Sequence, residues 1–161
     1  MRYKTLGTTG EKLSALTLGT WGIGGTGWGE TSQSNSLAAI DRMLELGVNL
    51  VDTAPVYGFG NPGEQDFGFG CAERLLAKAL KGRRDKVFLV TKCGLNYDRS
   101  KGPSSAYRSM SAQEIREGCE NSLRRLGTDY LDLLLVHWPD GKTPLEEVAQ
   151  AMDCLLYTSP S

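Results

Sequence analysis

KVFLVT at residues 86–91 and YLDLLLV at residues 130–136 are apolar runs of the length expected for buried β-strands. A shorter apolar run, VNLV at residues 48–51, ends at Asp52. A stretch with helical periodicity precedes each of these three runs along the chain. Strands that alternate with helices at this interval predict βα units, and therefore a parallel sheet.

The helical stretches carry recognisable start and stop signals. The first covers residues 34–46 and stops at Gly47, and the second covers residues 72–80. SAQE opens the third, at residues 111–126, as a capping box. TPLE at residues 143–146 repeats a start signal, with proline at the first helical position.

The N-terminal region predicts a β-hairpin followed by a glycine-rich loop. Residues 3–6 and 13–18 are strand-like and flank GTTG at residues 7–10, which has the composition of a turn. The loop occupies residues 19–27, and its segment GIGGTG at residues 22–27 fits the dinucleotide-binding pattern G-x-G-x-x-G. No helical pattern opens at its last glycine, so we interpret the loop as a flexible rim of an active site.

The number of units leaves two α/β architectures open. About four βα units follow the hairpin, and the fourth helix has barely begun where the 161 residues end. A closed barrel of eight units needs roughly 250 residues, so the chain would supply about half of one. An open four-stranded binding domain also fits this length.

Composition narrows the possible partners. The chain is 40% hydrophobic and 23% charged with a net charge of -1, which is ordinary for a globular protein. It has no block of like charges, no apolar run of about 18 residues and no signal peptide, so we expect a cytoplasmic protein without nucleic-acid or membrane partners. The cysteines show no CxxC spacing, so we expect reduced thiols and no metal site. They are Cys71, Cys93, Cys119 and Cys154.

Polar side chains follow the three apolar runs. Asp52 follows VNLV, Lys92 follows KVFLVT and His137 follows LLLV, while Tyr57 lies in the loop after Asp52. Because functional groups collect at the carboxyl ends of parallel strands, we expect these four side chains to share one site.

These residue types suit the reduction of a carbonyl group. Hydride transfer to a carbonyl carbon creates an alkoxide that needs a proton, and a phenol supplies one near neutrality only when a cation lowers its pKa. Tyr57 is the candidate donor, Lys92 the candidate cation, and Asp52 would hold Lys92. His137 would orient the carbonyl oxygen through a hydrogen bond.

Each of these residues also has an ordinary structural interpretation. Taken alone, His137 could be a hydrogen-bonded core histidine, and Asp52 a turn former or helix cap. Lys92 could be a surface residue just past a strand, and Tyr57 could simply pack in its loop. Their joint placement at the strand ends favours the catalytic interpretation.

Three segments resemble motifs of the aldo-keto reductase family, in that family's order and spacing. They are VDTAPVYG at residues 51–58, VTKCG at residues 90–94 and LLLVHW at residues 133–138. The hairpin and the GTW turn at residues 19–21 also fit the family. The resemblance covers residues 1–153, which correspond to the first half of the family's chain.

The resemblance implies an incomplete (β/α)8 TIM barrel, with about its first four βα units preceded by a β-hairpin. It implies NADPH bound across the barrel mouth and the reduction of aldehydes or ketones, which are small carbonyl substrates. Tyr57 would be the proton donor, Lys92 and Asp52 would tune it, and His137 would orient the substrate.

The resemblance also assigns cofactor and substrate contacts. Thr20, Trp21 and Asp52 would lie near the nicotinamide, and Trp138 would join Tyr57 and His137 beside the substrate. An alternative activity stays open, because some relatives with the same four residues are cofactor-binding, redox-sensing regulatory subunits of ion channels. The sequence does not predict an oligomeric state.

The last residues differ from the rest of the chain. CLLYTSPS at residues 154–161 departs from the family's helix and resembles the translation of a sequencing adapter. We therefore expect residues 1–153 to be part of a barrel domain and residues 154–161 to be an artificial tail. A half-barrel leaves sheet edges and apolar helix faces uncovered, so we expect the isolated chain to associate and to be inactive.

Overall fold

Strands and helices alternate along the computed structural model, which describes residues 1–25, 29, 32–61 and 63–157. In chain order the elements are β1 (Tyr3–Thr5), β2 (Lys12–Ser14), β3 (Thr17–Gly19), α1 (Gln33–Glu45), β4 (Leu50–Asp52), α2 (Cys71–Ala79), β5 (Phe88–Cys93), β6 (Leu95–Asn96), β7 (Tyr107–Arg108), α3 (Ala112–Leu126), β8 (Leu133–Val136) and α4 (Leu145–Tyr157). Residues 26 and 27 of the predicted glycine-rich loop, and residues 158–161 of the predicted tail, lie outside the described residues.

A parallel sheet forms the centre of the fold, with β3, β4, β5 and β8 adjacent in that order. Val51 of β4 pairs with Leu18 on one side and with Leu89 on the other, and Lys92 of β5 pairs with Leu135 of β8. Helices α1, α2 and α3 connect successive strands. These are the βα units that the sequence predicts for the first half of a (β/α)8 barrel.

The N-terminal hairpin is present, but its predicted second strand is wrong in length. β1 and β2 pair antiparallel, and β2 ends at Ser14. The Ser14 hydroxyl donates to the Leu16 carbonyl at 2.7 Å, and the Asn49 side-chain oxygen accepts from the Ser14 backbone N–H at 2.7 Å. The chain turns at this point, so Leu18 belongs to β3, the first strand of the parallel sheet.

The predicted helix starts are confirmed, with one difference at α3. Ser111 caps α3, because its hydroxyl accepts from the Glu114 backbone N–H at 3.3 Å. The reciprocal half of the capping box is not made by the Glu114 carboxylate. That carboxylate accepts from the Tyr107 hydroxyl at 2.9 Å and from the Asn96 amide. It therefore ties α3 to the short β6–β7 pair, whose two-residue strands carry no sequence pattern.

Two apolar clusters hold the layers together. The larger lies between the sheet and helices α1 and α2, with Ile40, Val51, Leu76 and Leu89 fully buried. Full burial of such a side chain contributes about 1.5–3 kcal/mol to folding. The smaller cluster joins β5, α3 and α4. It contains Cys93, Met110, Ile115 and Val148, with Leu155 packed against it.

Cys93 fills space in the second cluster, and burial raises the pKa of its thiol to about 11.

Helix α4 continues through Cys154 to Tyr157. The artificial origin of residues 154–161 stays a prediction. Within the described parts of the chain, no helix combines the length and apolar character needed to cross a membrane.

The outer edge of β8 is apolar and has no strand partner among the described residues. Leu133, Leu135 and Val136 are 38%, 39% and 37% exposed. An unpaired strand edge that carries apolar side chains is a template for pairing with another chain.

We predict that the isolated 161-residue chain self-associates through this edge. Leu133→Lys places a charge on the edge and should reduce association, whereas Gln113→Lys adds the same charge on α3 and should not. Sedimentation velocity would measure the difference. A monomeric, cooperatively melting wild-type chain would contradict the prediction.

Candidate active site

Asp52 ends its strand, as the sequence predicts, whereas Lys92 lies within its strand and not just after it. Asp52 is the last residue of β4, and Lys92 is the fifth residue of β5. Side chains alternate along a strand, so Thr91 points to the helical layer while Lys92 points into the half-barrel. The Thr91 hydroxyl accordingly bonds to α2, and the Lys92 ammonium bonds to Asp52.

The Lys92 ammonium has three acceptors. It donates to Asp52 Oδ2 at 2.7 Å, to the Thr53 carbonyl at 2.9 Å and to the Tyr57 hydroxyl at 3.0 Å. Lys92 is only 9% exposed. An ammonium group has three hydrogens to donate, so these contacts satisfy it, and the Asp52 carboxylate balances its charge.

Tyr57 reaches Lys92 because the loop after β4 folds back over the sheet. The Tyr57 backbone N–H donates to the Ala54 carbonyl at 3.1 Å, which closes a turn. The Tyr57 hydroxyl also lies 3.3 Å from Asp52 Oδ1. The structure therefore brings together the phenol, the ammonium and the carboxylate that the sequence places at this site.

Gly24 and Gly58 allow this loop to lie in backbone contact with the loop after β3. The sequence analysis did not single them out for this role. A Cβ atom on Gly24 would lie 2.6 Å from the Gly58 backbone nitrogen. Gly58 has a φ of +94° and packs against Cys71, whose thiol donates to the Tyr57 carbonyl at 3.2 Å. The available signal was the glycine directly after Tyr57, since a left-handed backbone favours glycine.

His137 completes the group of four. Its backbone N–H donates to the Cys93 carbonyl at 3.0 Å, which extends the pairing of β5 with β8. Its ring lies 5.9 Å from the Tyr57 ring, centre to centre, at an angle of 82°. Burial lowers the pKa of His137 from 6.5 to about 4; the Lys92 charge acts in the same direction, and Asp52 opposes it. The imidazole is therefore neutral near pH 7.

Two tryptophans form apolar walls around the site. The Trp21 ring stacks on Tyr57 at 6.2 Å and 21°, and Trp21 is 56% exposed. The Trp138 ring stacks on His137 at 3.9 Å and 9°. Thr20 is different, because it is fully buried beneath the site. Its hydroxyl lies 2.8 Å from the Thr53 hydroxyl, so Thr20 supports the strand ends.

Aromatic packing fixes the long loop between β4 and α2. The rings of Phe59, Phe69 and Tyr97 contact one another, with centroids 4.7 to 5.3 Å apart. These three rings pack the loop against the segment after β5.

We predict that His137, the single histidine of the chain, titrates near pH 4. Its ordinary pKa is 6.5, so the unfolded state binds the proton more strongly. The free energy of unfolding should therefore fall as pH decreases from about 6.5 to about 4, and this contribution is fully present above that window.

NMR of the imidazole, in the Leu133→Lys background, would give this midpoint. Lys92→Met should raise it, because the Lys92 charge is one cause of the low pKa. A wild-type midpoint near the ordinary value would contradict the prediction.

We also predict that Gly24→Ala destabilises the fold, by about 1–3 kcal/mol. The new methyl group would meet the backbone of Tyr57 and Gly58, which cannot yield as a flexible side chain does. Gly22→Ala is the matched control, because nothing lies within 4 Å of a Cβ atom there. Urea unfolding in the Leu133→Lys background compares the two, and equal stabilities would show that the close approach is unimportant.

Known proteins resemble this chain along nearly its whole length. The aldo-keto reductase YhdN of Bacillus subtilis is 42% identical over 154 residues, which are 94% of this chain and 42% of the relative. The NADH-specific methylglyoxal reductase of Escherichia coli is 37% identical and covers 95% of this chain and 48% of the relative. A probable voltage-gated potassium channel subunit beta of Arabidopsis thaliana is 33% identical, with 97% and 43% covered. The chain thus spans about half the length of these relatives.

A solved structure supports the same relationship. The aldo-keto reductase AKR11C1 of Bacillus halodurans, in its holo form, superimposes with a TM-score of 0.82 at 31% identity. The match covers 99% of this chain and 47% of that one, so the predicted partial barrel is confirmed. The sequence model of the aldo/keto reductase family matches residues 15–156. The chain therefore belongs to the aldo-keto reductase family.

Proposed function

We propose that this chain supplies the catalytic half of a nicotinamide-dependent reductase that converts small aldehydes or ketones to alcohols. The observation that carries the proposal is the placement of the Lys92 ammonium, 3.0 Å from the Tyr57 hydroxyl and 2.7 Å from Asp52. The His137 ring packs against the same phenol. A proton donor and a carbonyl-orienting group therefore face one space at the barrel mouth.

Tyr57 is the proposed proton donor to the developing alkoxide. When the phenol gives up its proton, the Lys92 ammonium is already within hydrogen-bond distance of the phenolate oxygen. Asp52 holds Lys92 in place and balances its charge before the reaction begins. The negative charge that moves onto the phenol is thus stabilised by a group that needs no reorganisation.

His137 is the proposed orienting group. Its pKa of about 4 makes it neutral near pH 7, so it has no readily lost proton to give. A neutral imidazole can still donate one hydrogen bond from a ring N–H to the carbonyl oxygen of the substrate. This assigns the proton transfer to Tyr57 and the alignment of the substrate to His137, with Trp138 as an apolar wall beside it.

The open side of the site suits a nicotinamide ring. The Trp21 ring offers an exposed flat surface, and the Asp52 side chain keeps 30% of its surface exposed. These two residues would hold the ring, while Thr20 supports them from below. When bound, the nicotinamide supplies the hydride. We infer NADPH as the cofactor from the family resemblance, and the relative named as NADH-specific makes NADH the alternative.

A regulatory role is the second candidate. The relative named as a probable channel subunit beta has a similar sequence in this region. A redox sensor would keep the site and bind the cofactor tightly, with little turnover. Steady-state rates therefore separate the two candidates.

The test uses a complete barrel, made by joining residues 1–153 to the second half of YhdN; we refer to this fusion as the completed barrel. We expect it to oxidise NADPH with methylglyoxal or nitrobenzaldehyde as substrate. Tyr57→Phe should lower kcat by about 10²–10⁴-fold, because it removes the proton donor. Cofactor affinity, measured by fluorescence titration, should stay the same.

Tyr130→Phe is the matched control, since Tyr130 lies before β8 at the opposite end of the sheet, beneath the Arg84 guanidinium. A folded barrel that retains NADPH without turnover would favour the regulatory candidate. Unchanged kcat in Tyr57→Phe would refute the assigned proton donor. NADH assayed in parallel decides the cofactor.

A further inference from the structure

A buried charged network lies directly behind the proposed catalytic group. Glu73 of α2 is 0% exposed. One carboxylate oxygen accepts from the Thr91 hydroxyl at 2.7 Å, and the other accepts from Arg125 Nε of α3 at 2.6 Å. Arg125 also donates to the Ser122 hydroxyl at 3.2 Å. The proposed proton transfer uses none of these groups.

The network holds the strand that carries Lys92. Thr91 precedes Lys92 in β5, and its side chain points the opposite way, into the helical layer. The bond from Thr91 to Glu73 therefore anchors the β5 backbone at the base of the lysine. Thr91 is fully buried, so water cannot replace Glu73 as its partner.

The same ion pair also holds the loop that carries Tyr57. The Arg125 side chain packs on Gly70, where a Cβ atom would lie 2.2 Å from Arg125 Cδ. The Gly70 backbone N–H donates to the Pro55 carbonyl, two residues before Tyr57. The Arg125 guanidinium also lies over the Phe69 ring, 5.6 Å from its centre.

We propose that Glu73, through its pairing with Arg125, is a positioning residue that sets the separation between the Lys92 ammonium and the Tyr57 phenol. The bond from Thr91 to Glu73 fixes the part of β5 that carries Lys92. Arg125 packs on Gly70, and the bond from Gly70 to Pro55 fixes the loop that carries Tyr57. A buried ion pair suits this task. If either side chain moved away, the other charge would be left buried and unpaired, which is costly, so both side chains stay in place. This inference rests on the proposed reductase function.

The test compares two paired carboxylates at opposite ends of β5 in the completed barrel. Glu73→Gln removes the charge behind the site. Asp132→Asn is its matched control, because Asp132 pairs with Arg84 at 2.7 Å and accepts from the Leu89 N–H at 2.8 Å, at the far end of the strand. Thr91→Val removes the anchoring hydroxyl without a change in charge, and Thr91→Ser retains it.

We expect Glu73→Gln and Thr91→Val to lower kcat by about ten- to a hundredfold, with the KM for the carbonyl substrate nearly unchanged. Thr91→Ser should restore kcat. Asp132→Asn should lower the Tm while leaving kcat unchanged.

A substrate-free measurement separates this inference from the proposed function. The NMR titration midpoint of the His137 imidazole should be higher in Thr91→Val than in the parent, because the Lys92 charge, held in place by Thr91, is one cause of the low pKa of His137. That shift supports the inference even if the completed barrel shows no turnover. Equal His137 midpoints in Thr91→Val and the parent, or equal losses of kcat in Glu73→Gln and Asp132→Asn, would overturn it.

Discussion

The site depends on one buried ammonium group. Lys92 sits inside a β-strand with little access to water, and such a charge is costly to bury unless it is paired and fully hydrogen-bonded. Its three partners come from the end of β4 and from the loop that follows it. The hydrogen bonds that Lys92 needs therefore require Asp52 at the end of β4 and the Tyr57 hydroxyl close to the sheet.

The surrounding structure meets this need with contacts that leave little freedom. Gly24 and Gly58 bring two loops to backbone contact, and a side chain on either residue would push them apart. On the other face of the sheet, Glu73 and Arg125 connect two helices to the same strand. Asp52 and Lys92 thus stand on strands, whereas Tyr57 and His137 follow strand ends. Contacts on both faces of the sheet hold the side chains of the candidate site in place.

The sequence predicts most of the fold and the four residues that meet at the candidate site, for a physical reason. Runs such as KVFLVT and LLLV pack inside a parallel sheet, and this topology brings the residues at the strand ends to one mouth. Prediction fails where a contact distant in sequence decides the outcome. Ser14 turns the chain through its own hydroxyl and through Asn49, so the strand predicted at residues 13–18 becomes two. Glu114 likewise binds Tyr107 and Asn96 in preference to its local capping partner.

The pairing of Glu73 with Arg125 also limits how this sequence can diverge. The two residues are 52 positions apart, yet Arg125 is the ion-pair partner of a fully buried Glu73 carboxylate. A substitution at either position alone would strand an isolated charge, whereas simultaneous replacement by apolar residues of similar volume can be tolerated. We therefore expect the two positions, one on α2 and one on α3, to vary together: homologues that lose the carboxylate should lose the guanidinium with it.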